Sequence, residues 1–255
     1  MARFFVDELP AEGSRYTLSG ENAEHARVLR LRPGEAVTLC DGRGTDCPCA
    51  VEEGLTLRAG ACAPCAAEPR VRVSLWIAFP KADKAEHVIQ KAVELGAAEI
   101  VLFPSRYCVS RPEGKALDKK LERWQKIARA AAEQSRRGVI PPVRAVDDCA
   151  EALREAARAE LPVLFYENES GYSLHDALAE LGGLRSGAPD ASGGRSMTAP
   201  TVSLMTGAEG GFSEEEIDKA RLVGMKICTL GPRILRCETA PLAGLTAVMF
   251  ALGEI

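Results

Sequence analysis

No stretch of this sequence approaches the roughly 20 uninterrupted apolar residues of a membrane-spanning helix. Its opening segment, MARFFVDELP, lacks the apolar run of a signal peptide, so a cytoplasmic protein with no membrane partner is expected. An excess of positive charge is also missing. The formal net charge is −4, which excludes a chain coated in basic residues and confines any nucleic-acid contact to local patches. No glycine-rich turn leads into Gly-Lys-Ser or Gly-Lys-Thr, and the three-glycine dinucleotide fingerprint with its following acidic residue does not occur. Nucleoside triphosphates and nicotinamide cofactors thereby lose their main support. No internal repeat is visible.

Cysteine, by contrast, is frequent. Nine are present, an odd number, and without an export signal a reducing environment is expected to keep them as thiols. Cys62 and Cys65 have the spacing of a metal knuckle, with Cys47 and Cys49 upstream as further ligand candidates. Cys47-Pro48-Cys49 is too tight for the usual zinc knuckle, however, so the expectation is unmetallated thiols and no metal.

At 255 residues, 46% of them hydrophobic, the chain is long enough for one large core and one smaller one. Residues 1–70 read as short strands broken by turns: Arg3 to Val6, Ala36 to Leu39, Cys49 to Glu52 and Leu55 to Arg58, with a helix only at Asn22 to Leu29. This is the pattern of a small β-barrel. Pro64 and Pro69 mark a boundary near residue 70, after which strands and helices alternate over 71–255. Strand Val71 to Ile77 leads to a helix that Asp83 and Glu86 are placed to open as a capping box, with Ala85, Val88, Ile89 and Ala92 on one face. Strand Ile100 to Phe103 and helices at about Leu117 to Gln134 and Ala150 to Ala159 follow. Strand Pro162 to Tyr166 and a helix opened by Ser173 come next. Residues 182–200, rich in Gly, Ser, Ala and Pro, read as an exposed loop. Strand Thr201 to Met205, helix Glu214 to Val223, strand Lys226 to Leu230 and helix Glu238 to Leu252 close the series. The alternation implies an α/β domain with a mostly parallel sheet.

Two strand-to-helix loops carry the chemistry. In Thr206-Gly207-Ala208-Glu209-Gly210-Gly211-Phe212-Ser213, the glycines allow the backbone close to a ligand and the helix start offers unpaired amides. Ser213 and Glu216 fix that start as a capping box. In the second loop, Leu230 to Ala240, Leu230, Ile234 and Leu235 offer an apolar rim for a flat ring, and Arg233 or Arg236 remains for an anion. Either arginine can instead pair with Glu238. Both loops belong at the carboxyl ends of strands, where ligands of open α/β sheets bind. Basic residues crowd two further places, Arg27, Arg30 and Arg32 near the start, and Arg136, Arg137 and Arg144 around Pro141-Pro142. Each cluster taken alone reads as solvated surface.

The Gly-x-Glu-Gly-Gly turn followed by Leu-Gly-Pro-Arg-Ile-Leu-Arg-x-Glu-Thr-Ala resembles the RsmE-type 16S ribosomal RNA uridine-N(3) methyltransferases of the SPOUT class. The likeness extends to Lys91-Ala92-Val93-Glu94-Leu95-Gly96 and Glu133-Gln134-Ser135-Arg136-Arg137. It also takes in Arg3-Phe4-Phe5-Val6, His25 and Val28-Leu29-Arg30-Leu31, and so spans nearly the whole chain. Ala208 departs from it, since the family usually has proline there, and residues 182–200 look like an insertion.

The resemblance implies a PUA-like RNA-binding barrel at 1–70, a SPOUT domain with a deep trefoil knot at 71–255, and S-adenosylmethionine as cofactor. It further implies 16S rRNA of the small ribosomal subunit as partner and a homodimer through the knotted domain. The implied cofactor pocket comprises Leu164, Tyr166 and Glu167; Thr206, Gly207, Glu209, Gly210 and Gly211; and Leu230, Gly231, Ile234, Leu235 and Thr239. Arg236 or Arg136 is expected to stabilise the uracil oxygens, and Glu209 to orient the site or accept the proton. RNA contacts are expected from Arg3, Arg30, Arg32, Arg136, Arg137 and Arg233. Two alternatives stand beside this reading: a non-enzymatic RNA-binding protein on the same fold, and a zinc or redox protein centred on Cys62 and Cys65.

Overall fold

A computed structural model of the chain describes residues 2–81, 83–186 and 199–255, with backbone alone for 182–186. Its contacts divide into two units, residues up to Glu68 with Arg129–Ile140, and Pro69–Ala128 with Pro141–Ile255. Arg129–Ile140 thus falls on the other side of the boundary read near residue 70. Contacts far apart in sequence draw it there. The Arg129 guanidinium donates to the Phe5 carbonyl (3.1 Å), and Glu68 accepts from the Gly138 and Val139 amides (2.8 and 3.0 Å).

The first unit holds strands β1 (Ala2–Phe5), β2 (Arg15–Thr17), β3 (Ala36–Cys40), β4 (Thr45–Val51), β5 (Thr56–Ala59) and β6 (Ala63–Pro64), with helix α1 (Gly20–Leu29). They form one six-stranded sheet in the order β1-β3-β4-β5-β2, with β6 on β4. Only the β1–β3 pairing is parallel. Along β4 the period of two is plain: Cys47, Cys49 and Val51 are buried, whereas Pro48 and Ala50 are exposed. The strand begins earlier than the sequence suggested because Pro48, which has no N–H to give, uses its carbonyl to accept from the Gly60 amide (2.8 Å). Phe4, Val37, Leu39 and Leu57 are wholly buried, and α1 seals them with Ala23 and Ala26.

Most of the cysteines are small core residues, although Cys62 is exposed. All nine are free, Cys40, Cys47, Cys49 and Cys65 are buried, and burial pushes the Cys47 and Cys49 thiols up. Among the described residues no group of three or more His, Cys, Asp or Glu stands where it could hold a metal ion.

Two arginines expected at RNA lie inside this unit instead. Arg3, 8% exposed, grips Asp46 through two hydrogen bonds (2.6 and 2.8 Å) and donates to the Arg137 carbonyl (3.2 Å). Arg137, 5% exposed, pairs with Glu68 (2.8 Å). A guanidinium already desolvated against a carboxylate is not offered to phosphate. Arg144, in the second unit, bridges Glu99 and Glu155 (2.6 and 2.7 Å). Arg30, Arg32 and Arg136 remain exposed.

The Arg3–Asp46 pair makes stability pH-dependent. Burial alone raises the Asp46 pKa, but hydrogen bonds from Arg3, Cys65 and Cys40 together with the Arg3 charge outweigh it and hold the carboxyl below its ordinary 3.8. A carboxyl depressed in the folded state adds stability above its unfolded value, and that contribution disappears as pH falls through the folded one. The urea midpoint should therefore drop between about pH 5 and about pH 3. Asp46→Asn should flatten that limb and lower neutral-pH stability by about 1–3 kcal/mol; chemical denaturation at a series of pH values reads both.

The second unit alternates β7 (Arg72–Ala78), α2 (Lys84–Glu94), β8 (Glu99–Phe103), α3 (Gly114–Gln134, whose last turns belong to the first unit), β9 (Val143–Ala145), α4 (Cys149–Ala156), β10 (Leu161–Phe165), α5 (Leu174–Ser186), β11 (Thr201–Thr206), α6 (Glu214–Leu222), β12 (Lys226–Cys228) and α7 (Ala240–Ala251). The sheet is parallel throughout, in the order β12-β10-β11-β7-β8-β9. Helix α2 buries Ala85, Val88, Ile89 and Ala92, the stripe its spacing predicts. Its expected capping box is not formed. The Asp83 side chain makes no cap bond, and Glu86 pairs with Arg123 (2.7 Å). Helix α5 runs through Gly182 and Gly183 to Ser186, past the start of the expected loop, because glycine weakens a helix by only about 1 kcal/mol per residue. The rest of that loop, 187–198, lies outside the described residues. Among the described residues, no helix is long and apolar enough to cross a membrane.

Strand β11 lies between β7 and β10, so the C-terminal ends of β10, β11 and β12 are neighbours. Each opens into a loop there. Helix α7 comes close to this sheet because position 244 is glycine: a Cβ on it would stand 2.5 Å from the Phe165 ring.

Candidate active site

The three loops enclose a cavity of about 780 Å³, within the range of small-molecule sites. From β10 come Phe165, Tyr166 and Glu167. From β11 come Thr206, Gly207, Ala208, Glu209 and Gly211. The loop after β12 adds the run from Thr229 to Cys237, and Lys84 reaches in from α2.

The turn after β11 is built from close backbone approaches. A Cβ on Gly207 would lie 2.9 Å from the Gly211 Cα and carbonyl carbon, and one on Gly210 would lie 2.6 Å from the Tyr107 Cβ. Gly211 has φ +65° and donates its amide to the Ala208 carbonyl (3.0 Å). Behind the turn the capping box expected from the sequence is present. The Glu216 amide donates to Ser213 Oγ (3.3 Å) and the Ser213 amide to Glu216 Oε2 (2.9 Å). Glu216 also accepts from the Arg106 amide (2.8 Å), which ties the loop after β8 to the same support.

The loop after β12 begins with the Gly231 amide donating to Thr229 Oγ1 (3.1 Å) and ends with the Arg236 carbonyl accepting from the amides of Thr239 and Ala240 (2.8 and 2.9 Å). Between them Ile234 is 84% exposed, with Arg233 and Arg236 also in solvent. Glu238, the acid that could have neutralised either arginine, is engaged elsewhere. Its carboxylate meets Lys84 Nζ at 3.0 Å, and the same ammonium meets Glu209 at 3.1 Å. Among the described residues neither arginine has an ion-pair partner.

The electrostatics follow from this arrangement. Hydrogen bonding from Lys84 draws the Glu238 carboxyl down to about 2. Burial alone would raise Glu209, but amide donors, including that of Lys81 (3.1 Å), and the Lys84 ammonium hold it below the usual carboxylate range. A carboxylate held low in this way is a weaker base than a free one.

Ten of the expected cofactor residues line the cavity, together with Arg233 and Arg236; Leu164, Gly210 and Thr239 do not. Leu164 points into the core, wholly buried, because side chains alternate along β10 and the wall falls to Phe165. Gly210 packs on Tyr107, and Thr239 precedes α7 as its N-cap. Arg136 belongs to the first unit and is not part of the lining. Lys84 was not anticipated. One signal was available: a lysine at the first position of a helix opposes the helix dipole and needs another reason to be there.

The residues suit S-adenosylmethionine. Thr206 Oγ1, at the cavity wall, is buried and has no hydrogen-bond partner among the described residues, which fits a polar ligand group there. Tyr166, Leu230, Ile234 and Leu235 provide aromatic and apolar surface for an adenine.

Comparison with known proteins agrees. Residues 67–249 match the RNA methyltransferase domain family and residues 18–55 the RNA methyltransferase PUA domain family. The chain is 33% identical to the ribosomal RNA small subunit methyltransferase E of Mycobacterium bovis, over 96% of this chain and 90% of that one. It is 30% identical to the protein of the same name from Bacillus subtilis, over 98% and 96%. A ribosomal RNA small subunit methyltransferase E from Neisseria gonorrhoeae, crystallised with S-adenosylmethionine, superposes with a TM-score of 0.76 at 30% identity, covering 98% of this chain and 97% of the other. Family domain, near full-length identity and shared fold agree, and the chain belongs to the ribosomal RNA small subunit methyltransferase E family.

Proposed function

We propose that this enzyme transfers the methyl group of S-adenosylmethionine to N(3) of a uridine in 16S rRNA of the small ribosomal subunit, in the cytoplasm. One observation carries the reading: the cavity shared by the three strand-end loops has two arginines at its rim and, among the described residues, no carboxylate paired with them. Bound there, S-adenosylmethionine supplies an electrophilic methyl carbon on a sulfonium.

The loops Gly207–Gly211 and Leu230–Cys237 hold the donor, and Thr206 Oγ1 gives it a hydrogen-bond partner. Uridine N(3) carries a proton between two carbonyls and becomes nucleophilic only as that proton leaves and charge spreads onto the oxygens. Arg236 meets that charge, making the proton acidic enough to pass to solvent base. Arg233 and Arg236 would hold the uracil still from one side for the methyl transfer that the donor would supply. The base leaves its stack to enter. On the first unit, exposed Arg27, Arg30 and Arg32 beside Val28 and Leu29 form a basic, partly apolar surface for flanking RNA, to which Arg136 adds.

Three finer features belong to the same reading. The insertion of β11 between β7 and β10 suits a chain threaded as a deep trefoil knot, and the first unit's sheet suits a PUA-like barrel. Helix α7 turns Thr246, Ala247 and Phe250 outward, Phe250 being 73% exposed. A second copy of the chain covers them in a homodimer. Phe250→Glu should then shift the species seen by sedimentation to a monomer.

The test is transfer from labelled S-adenosylmethionine to small subunits lacking the modification, followed by nucleoside mass analysis. Label in N(3)-methyluridine supports the assignment. Label in another nucleoside, or none in RNA, overturns it.

A further inference from the structure

Lys84 makes three contacts at the cavity wall. Its ammonium lies 3.1 Å from Glu209 in the turn after β11, 3.0 Å from Glu238 in the loop before α7, and 3.5 Å from the Cys237 thiol. The two acids come from the two loops that enclose the cavity, so one side chain on a third element joins both walls. Stability does not account for it. At 32% exposed, the pair sits in the regime where ion pairs contribute little to folding, and the helix dipole at α2 disfavours a cation there. What the lysine changes is the balance of charge at the wall. Without it two carboxylates face each other, and the arginines on the Glu238 loop gain a carboxylate to collapse onto.

Resting on the function proposed above, we infer that Lys84 is a positioning residue. It holds the two cofactor loops at their working separation and, by occupying Glu209 and Glu238, keeps Arg236 open for the substrate. It acts through the two acids.

The charge set around it is small: Glu209 and Glu238 in contact, Cys237 as a neutral thiol, Asp83 next in the chain, and Arg233, Arg236, Glu167 and Glu169 on the other walls of the same cavity. Burial, and then its hydrogen bond to Glu238, pushes the Cys237 thiol up to about 11, so it stays protonated in the neutral range. Once Lys84 is removed, Glu238 is released from about 2 towards its ordinary 4.5. The repulsion between the acids then weakens as pH falls towards that value.

The experiment compares the wild type, Lys84→Ala, Lys84→Arg and Lys84→Ala with Glu238→Gln. Donor affinity is read by calorimetry and kcat on undermethylated small subunits, each from about pH 5 to pH 8. Lys84→Ala should weaken donor binding and lower kcat by roughly ten-fold each. Lys84→Arg should restore most of both. The added Glu238→Gln should recover kcat, because it removes the acid that competes for Arg236. The loss in Lys84→Ala should shrink at the acid end. Unchanged binding and kcat in Lys84→Ala overturn the inference. So does a loss that neither Glu238→Gln nor acid pH relieves while the melting temperature holds. A wild type that binds no donor or methylates no RNA instead sinks the functional reading, so the two failures are distinct.

Discussion

Arg236→Ala should lower kcat by about a hundred- to a thousand-fold while donor affinity stays within a few-fold of wild type. The size follows from what the guanidinium does. In the proposed reaction it would meet charge that appears on the uracil oxygens only as N(3) loses its proton, so its contribution would belong to the transition state and not to the bound donor. Because Glu238 is committed to Lys84, Arg236 has, among the described residues, no carboxylate to leave before it can act. Arg236→Lys should recover only part, since an ammonium keeps the charge but lacks the planar fork. Single-turnover rates with donor affinity measured alongside decide it. Full turnover in Arg236→Ala would transfer the role to another cation, with Arg233 next on the rim and Arg136 the candidate outside the cavity lining.

The second large effect is on binding. Gly207→Val should abolish measurable donor affinity, a loss of at least about a hundred-fold, with a melting temperature that remains cooperative. Even a Cβ at this position would lie 2.9 Å from two backbone atoms of Gly211, and backbone cannot swing away as a side-chain tip can. The turn must open, and its amides and Glu209 lose their places. A conserved affinity would mean that the donor does not use this turn.

These two loops were legible in the sequence because what shapes them is local. Glycines at a strand end, a Ser213–Glu216 capping box and two arginines flanking Ile234 and Leu235 all lie within a few residues of one another. The parallel sheet was legible for a similar reason, through alternating apolar periods. What failed to show was pairing across the chain. Arg3 and Arg137 look like RNA contacts until Asp46 and Glu68 are found against them. Whether Arg233 or Arg236 pairs with Glu238 stays open until Lys84, far upstream, is seen to hold that acid. The partners of Glu209 were equally hidden: sequence shows a carboxylate, whereas its basicity depends on the amide and ammonium that fold onto it. Leu164 is buried in the core and its neighbour Phe165 lines the cavity, since one step along a strand exchanges the two faces.

The most direct measurement is a crystal structure of this protein soaked with S-adenosylmethionine. The account predicts the donor between Gly207–Gly211 and Leu230–Cys237, with a polar group on Thr206 Oγ1 and the methyl directed towards Arg236. A donor bound elsewhere, or with its methyl turned away from that arginine, would contradict it.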